Sequence, residues 1–277
     1  MIRRLAPVLR IVVALLLLIP AVSLAQTNCN VGAGPLRTSA PATLKPDDIV
    51  RRFTESESAM IAGRKSYSFR QDVSVQSLRH GLMPNEWDAD GEFRLVMDVS
   101  HDDGHGNRVE AVVFAPQSTL HRMSVGKEDM EDIRRFATFA LTTSELPHYN
   151  VLYAGQQHVD ELDTYVFDVA PKHIEKGKRY FQGRIWVEAT DMNVVKTCGK
   201  SVPDTVVVKK KRVVESTVQP KFATYREFID GRYWFPTYAR SDDVIDFGPN
   251  NEVHVREIIH FTSYKSLSRD ATMASSK

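Results

Sequence analysis

Apolar and polar residues alternate with a period of two through most of this chain, and that alternation limits what it can fold into. Phe69, Val73 and Val75 alternate with Ser68, Arg70, Asp72, Ser74 and Gln76. Phe93, Leu95, Met97 and Val99 interleave with Glu92, Arg94, Val96 and Asp98. Further on, Tyr165, Phe167 and Val169 alternate with Thr164, Val166 and Asp168, and Ile185 and Val187 with Arg184, Trp186 and Glu188. Later runs cover 206–214, 222–229, 233–239 and 253–261. Successive side chains of a strand point to opposite faces, so each run describes an antiparallel strand with one packed face and one wet face. Asp230-Gly231 is a hairpin turn signal, and Gly248-Pro249-Asn250-Asn251 a looser one.

Two stretches break the pattern with helical spacing. Ile49, Val50, Phe53, Met60 and Ile61 recur on one face of a helix expected from Asp47 to Ala62, after Pro46 and before Gly63. Met130, Ile133, Phe136, Ala137, Ala140 and Leu141 predict a second helix over Lys127 to Leu141, with Ser124 as a candidate cap and Glu128, Asp129 and Glu131 in its first turn. Two helices among about ten strands imply an α+β domain built on one large antiparallel sheet. A sheet that wide curls. Its hollow apolar side then has to be filled, by helices or by a greasy ligand.

The N-terminus addresses the chain. Arg3, Arg4 and Arg10 precede the apolar run Ile11–Ile19, and Pro20, Ser23 and Ala25 close it, in the order of a secretory leader cleaved before Gln26. The run falls short of the roughly 20 apolar residues of a membrane span, which disfavours the competing reading, an uncleaved N-terminal anchor. Gln26 to Lys45, rich in Thr, Pro, Ser and Gly, reads as a flexible lead-in. The leader holds three of the 36 basic residues and none of the 35 acidic ones, so the rest of the chain is near neutral and lacks the basic excess that nucleic acid requires. Cys29 and Cys198 are the two cysteines; in an oxidising compartment they can pair, and spacing alone does not decide it. Lipid modification of Cys29 is disfavoured by the Gln26-Thr27-Asn28 that precedes it.

Catalytic motifs are missing. No Gly-x-Ser-x-Gly, phosphate-binding glycine loop, His-Glu-x-x-His or Cys-x-x-Cys occurs. The histidines and aspartates of His101–Asn107 fit a tight turn better than a metal site. His254 and His260 share a strand face but stand about 20 Å apart along it, too far to hold one metal. Asp242 and Asp243 are adjacent, so their side chains diverge in a strand. Lys209-Lys210-Lys211-Arg212 reads as a solvated hairpin or sheet edge rather than an anion site. No cofactor and no enzymatic activity are expected.

The blocks Leu162–Lys172 and Gly177–Glu188, the turn Asp191–Lys196 and the strand Tyr233-Trp234-Phe235-Pro236-Thr237 resemble bacterial outer-membrane lipoprotein-sorting proteins of the LolA-like superfamily. The resemblance implies a curved antiparallel half-barrel with helices packed on its concave face. It implies an exported, periplasmic, non-catalytic protein that binds or carries the acyl chains of a lipoprotein or another amphiphile. It also leaves open a sensor or regulatory module acting through a protein partner, such as an envelope membrane protein. No ligand residue of the family transfers by a sharp motif.

The domain organisation expected is a leader over 1–25, a flexible lead-in over 26–45, one half-barrel over 46–267 and a flexible tail over 268–277. Phe69, Val73, Phe93, Leu95, Met97, Tyr165, Phe167, Ile185 and Val187, on the alternating apolar face, are the candidate lining of the cleft. The helix over 127–141 and a loop over 80–91, carrying Leu82, Met83, Pro84 and Trp87, are the pieces expected to move.

Overall fold

The computed structural model describes residues 27–267, apart from 42, 84–85, 103–106, 210–211, 218–219 and 247–251. The expected leader, the turn at 248–251, the tail 268–277 and the middle of the His101–Asn107 turn therefore lie outside the described residues. Along the chain run α1 (Pro46–Arg64), β1 (Tyr67–His80), β2 (Trp87–His101), β3 (Arg108–Phe114), α2 (Lys127–Phe136), β4 (Tyr149–Val159), β5 (Leu162–Pro171) and β6 (Tyr180–Glu188). Then follow β7 (Val194–Val202), β8 (Thr205–Lys209), β9 (Arg212–Thr217), β10 (Phe222–Ile229), β11 (Tyr233–Asp246) and β12 (Glu252–Ser266).

Ten of these strands form one sheet in the order β3-β2-β1-β12-β11-β10-β7-β6-β5-β4. Every pairing is antiparallel, and β3 and β4 end the sheet at opposite edges, so it is open. The last strand, β12, lies between β1 and β11, with Ile259 beside both Val73 and Ala239. At the β10–β11 hairpin, Asp230 and Gly231 both take positive φ (53° and 66°), the conformation a tight two-residue turn needs. The run expected as one strand over 206–214 is instead the separate antiparallel pair β8–β9, in which Lys209 stands opposite Arg212. The side chains of that pair are outside the described residues.

The helix α1 starts at Pro46, whose missing N–H costs nothing at a helix start, with Asp47 and Asp48 facing the positive end of the dipole. Its buried residues Ile49, Phe53, Glu57, Met60 and Arg64 recur every three or four positions and form one stripe. In α2 the cap is not Ser124. Asp129 reaches back, and its Oδ2 accepts the Gly126 N–H at 2.7 Å. The helix stops at Phe136, five residues before the expected end. Tertiary partners explain the stop: Ala137 O accepts from Thr224 Oγ1 (2.8 Å), and Phe139 O accepts from Arg226 Nη2 (2.7 Å). The side chain of Phe136 is outside the described residues.

Both helices pack on one face of the sheet, called the inner face below, where Thr224 and Arg226 of β10 bond Ala137 O and Glu57. On the outer face, the segment expected as a flexible lead-in runs as a strap over β4–β7. Gly34 N–H donates to His158 O (2.8 Å), Arg37 and Gln156 exchange backbone bonds (2.8 Å each), and Gln157 Nε2 donates to Gly34 O (2.6 Å). Cys29 is joined to Cys198 by a disulfide. A Cβ on Gly155 would stand 2.3 Å from Arg37 O, so only glycine lets the strap approach this closely. Trp186, on the parity expected to be wet, is fully buried under the strap, and its Nε1–H donates to Gln157 Oε1 at 2.7 Å.

The loop expected over 80–91 is shorter, because β1 runs to His80 and β2 starts at Trp87. Leu82 and Met83 are exposed at the hairpin tip. Trp87 is tucked, its ring 4.0 Å from those of both His80 and His254. Pro84 is outside the described residues.

Candidate functional site

The nine candidate lining residues fall into two groups on the inner face. Phe69, Val73 and Met97 are buried with Val75, Val255, Ile259 and Phe261 beneath α2, and Phe93 and Leu95 lie half-buried at the margin of that group. Tyr165, Phe167, Ile185 and Val187 are buried beneath α1 with Ile49 and Phe53. The Phe53 and Phe167 rings are 5.6 Å apart, so the helix seats directly on the strand residue. None of the nine lines the four cavities described for this molecule, of 290, 400, 460 and 470 Å³. Seven of them are buried within the core, and Phe93 and Leu95 are half-buried.

The two covers differ. Under α1, Glu57 and Arg226 make a fully buried two-pronged ion pair, with Nη1–Oε1 at 2.6 Å and Nη2–Oε2 at 3.0 Å. Under α2 the described apolar contact comes from few side chains of the helix itself, with Leu120, Met123 and Val125 packed beside it. Among its described side chains, Met130 and Ile133 are the buried apolar ones, and the third buried residue is Asp132. Asp132 stands 3.0 Å from Arg179 Nη1. Burial nonetheless pushes its carboxyl up to about 6, against the pull of Arg179. On the outward side, Arg134 grips Glu110 of β3 with two bonds of 2.8 Å.

Beneath α2 the inner face also carries a polar spot. Glu257 sits in the row Val253, Val255, Glu257, Ile259 and Phe261, all pointing inward. Its cross-strand neighbour on β11 is Ser241. Glu257 Oε2 and Ser241 Oγ are buried and have no hydrogen-bond partner among the described residues. Burial, with Asp129, Asp243 and Asp132 nearby, pushes the Glu257 carboxyl up to about 8. Sequence reasoning passed over this residue, although a carboxylate in the middle of an inward apolar row was the visible signal.

The direction of that shift fixes a pH dependence. A carboxyl that holds its proton more tightly in the folded chain than in the unfolded one stabilises the fold fully below the ordinary value of 4.5 and loses that contribution as pH rises towards 8. Asp132 and Asp243, whose carboxyls burial also raises, act with the same sign. Glu257→Gln mimics the protonated acid. Its thermal midpoint is expected to exceed that of the wild type at pH 8 and to converge with it towards pH 5. Parallel midpoint curves for the two proteins across that range would remove Glu257 from this account.

On the outer face, Asp242 gathers three side-chain partners. It accepts from His254 Nε2 (2.5 Å), Arg256 Nε (2.8 Å) and Arg240 Nη2 (3.0 Å), and these bonds hold its carboxyl below the usual range despite burial. Asp243 points the other way, as adjacency in a strand requires, and accepts the Lys221 N–H at 3.0 Å. His254 is thus an aspartate partner. Among the described residues no group of three or more His, Cys, Asp or Glu is placed to hold a metal ion. Also among the described residues, no helix is long and apolar enough to cross a membrane.

No protein-family model matches the chain, and no curated protein matches it. Among solved structures the chain is similar to the crystal structure of a LolA superfamily protein from Nitrosomonas europaea. That match has 13% identity and a TM-score of 0.32, covering 80% of this chain and 94% of that one. The chain is also similar to MucB in complex with MucA(peri), with 9% identity, 78% and 93% coverage and a TM-score of 0.22.

Proposed function

We propose that this chain is an exported, non-catalytic protein of the bacterial envelope that binds or carries the acyl chains of a lipoprotein or another amphiphile. In this reading residues 1–25 are a cleaved leader, 46–267 form one domain whose sheet curls around the two helices, 268–277 are a tail, and the protein works in the periplasm. A disulfide between Cys29 and Cys198 suits such an oxidising compartment.

The observation that carries the proposal is that, among the described side chains of α2, Met130 and Ile133 are the buried apolar ones over an oily surface. Burying Met130 and Ile133 is worth about 3–6 kcal/mol together. An acyl chain gains about 0.8 kcal/mol for each methylene it buries, so roughly eight methylenes match what the helix gives up. Lifting α2 uncovers Phe69, Val73 and Met97, with Phe93 and Leu95 at the rim. Tyr165, Phe167, Ile185 and Val187 extend the same surface under α1. The unpartnered Glu257 carboxyl and Ser241 hydroxyl offer hydrogen bonds to the polar end of the guest.

One observation favours a second reading, a regulatory module with a protein partner. The edge strand β3 leaves Val109, Val112, Val113 and Phe114 between 46% and 62% exposed, and an open apolar edge is where a partner adds a strand.

Purification of the full chain from its native envelope, followed by lipid extraction and binding of a displaceable hydrophobic dye, tests the carrier. Lipid is expected in the extract. Ile133→Ala, by loosening the lid, is expected to tighten dye binding by at least about tenfold. No lipid, together with no dye binding by either protein, overturns carriage. Recovery of a membrane protein without lipid, lost on Val112→Lys, supports the second reading in its place.

A further inference from the structure

We propose that the cavity between the N-terminal strap and the outer face of β10–β11 is a binding site for a sugar ring. It lies on the face of the sheet opposite the proposed amphiphile surface, and its argument does not depend on that reading.

The cavity measures 460 Å³, within the roughly 300–1,000 Å³ usual for small-molecule sites. It is built, not incidental. One wall is the strap, with Val31 and Gly32, and the floor is β10–β11, with Tyr225 and Tyr238. These two tyrosines are cross-strand partners with ring centroids 6.1 Å apart. Lys196, fully buried, fixes wall to floor. Its Nζ donates to Val31 O at 2.7 Å and sits 4.8 Å from the Tyr225 ring centroid and 5.0 Å from that of Trp186. The disulfide at Cys29 ties the same stretch of strap to β7.

The polar groups around the aromatic floor select the guest. Arg240, about half exposed, spends an N–H on Asp242 and keeps others free to donate. Asp160, exposed at the β4–β5 turn, can only accept. An acyl chain cannot satisfy carboxylates and a guanidinium, and burying them against it unpaired is costly. A phosphate would meet two carboxylates, Asp160 and Asp242, for one lining cation. A pyranose answers all of these features. One face of its ring is C–H only and stacks on a phenol ring, whereas its hydroxyls both donate to Asp160 and accept from Arg240. The ligand class is therefore a neutral sugar, either free or as the head of a larger molecule.

Saturation-transfer NMR on the oxidised chain tests this with maltose, cellobiose and diacetylchitobiose, and with the zwitterionic dipeptide Gly-Phe as competitor. At least one disaccharide is expected to receive saturation on its C–H face at concentrations up to about 10 mM, the weak end of measurable affinity. Tyr238→Ala is expected to weaken that binding by about tenfold or more, as loss of a stacking platform does. Asp160→Asn, at an exposed turn where folding is not at stake, is expected to weaken it too. A disaccharide-bearing lipid that binds more tightly than the free disaccharide, with the same dependence on Tyr238, would assign the sugar to a head group. No transfer from any disaccharide overturns the proposal. So does transfer unchanged in both variants, or preferential binding of Gly-Phe.

Discussion

Arg226→Ala is expected to lower the stability of this protein by about 3–5 kcal/mol, the usual cost of orphaning one half of a buried ion pair. Arg226 and Glu57 are both essentially inaccessible to solvent, so water cannot replace the missing partner. The guanidinium does more than pair with Glu57. It also donates to Phe139 O at 2.7 Å and Val194 O at 3.4 Å, joining α1, β7, β10 and the segment after α2. Its removal leaves a carboxylate and two carbonyls buried at once. Replacing both partners, as in Glu57→Leu with Arg226→Met, leaves no buried charge and is expected to recover a large part of the loss. Urea unfolding midpoints of the three proteins check this. A single-variant loss below about 1 kcal/mol, the range of exposed ion pairs, would mean that the site is wet.

Removal of the disulfide, by Cys29→Ala with Cys198→Ala, is expected to cost about 2–5 kcal/mol. The cross-link closes a loop of 169 residues, and freeing so long a loop restores much entropy to the unfolded chain. The loss should be global, since the link acts on the unfolded state. A local effect is expected as well. Trp186 is covered by the strap, and hydrogen bonds such as those at Gly34, Arg37 and Gln156 and from Gln157 and Lys196 then hold that cover without the covalent link. Urea midpoints under oxidising conditions, with Trp fluorescence as a second probe, separate the two effects. An unchanged midpoint would show that the strap bonds alone determine the unfolding equilibrium.

Strands and helices were legible because their signals are local. Met97, Val99, Tyr165, Phe167 and Val169 are buried as their alternation predicts and the α1 stripe lies where its spacing put it, whereas Val96, Thr164 and Val166, expected on the wet face, are buried as well. Other features left no local trace. The strap is held through its own backbone groups, bonded by backbone and side chains far along the chain such as Gln157 and Lys196, so its Thr, Pro, Ser and Gly content read as flexibility. The early stop of α2 depends on Thr224 and Arg226, which lie far along the chain. Glu257 stands between these cases, since its place in an apolar row was readable and its missing partner was not.

Backbone geometry alone dictates that side chains alternate along a strand and recur every three or four residues around a helix. The kinds of element, their inward faces and the turn at Asp230-Gly231 therefore follow from the sequence without further help. Which surfaces meet is a different matter. The placing of β12 beside β1, the burial of Trp186, the meeting of Glu57 with Arg226 and the burial of seven of the nine apolar candidates within the core join residues far apart in the chain. Such contacts are selected by the packing of the whole molecule, and only the tertiary structure decided them.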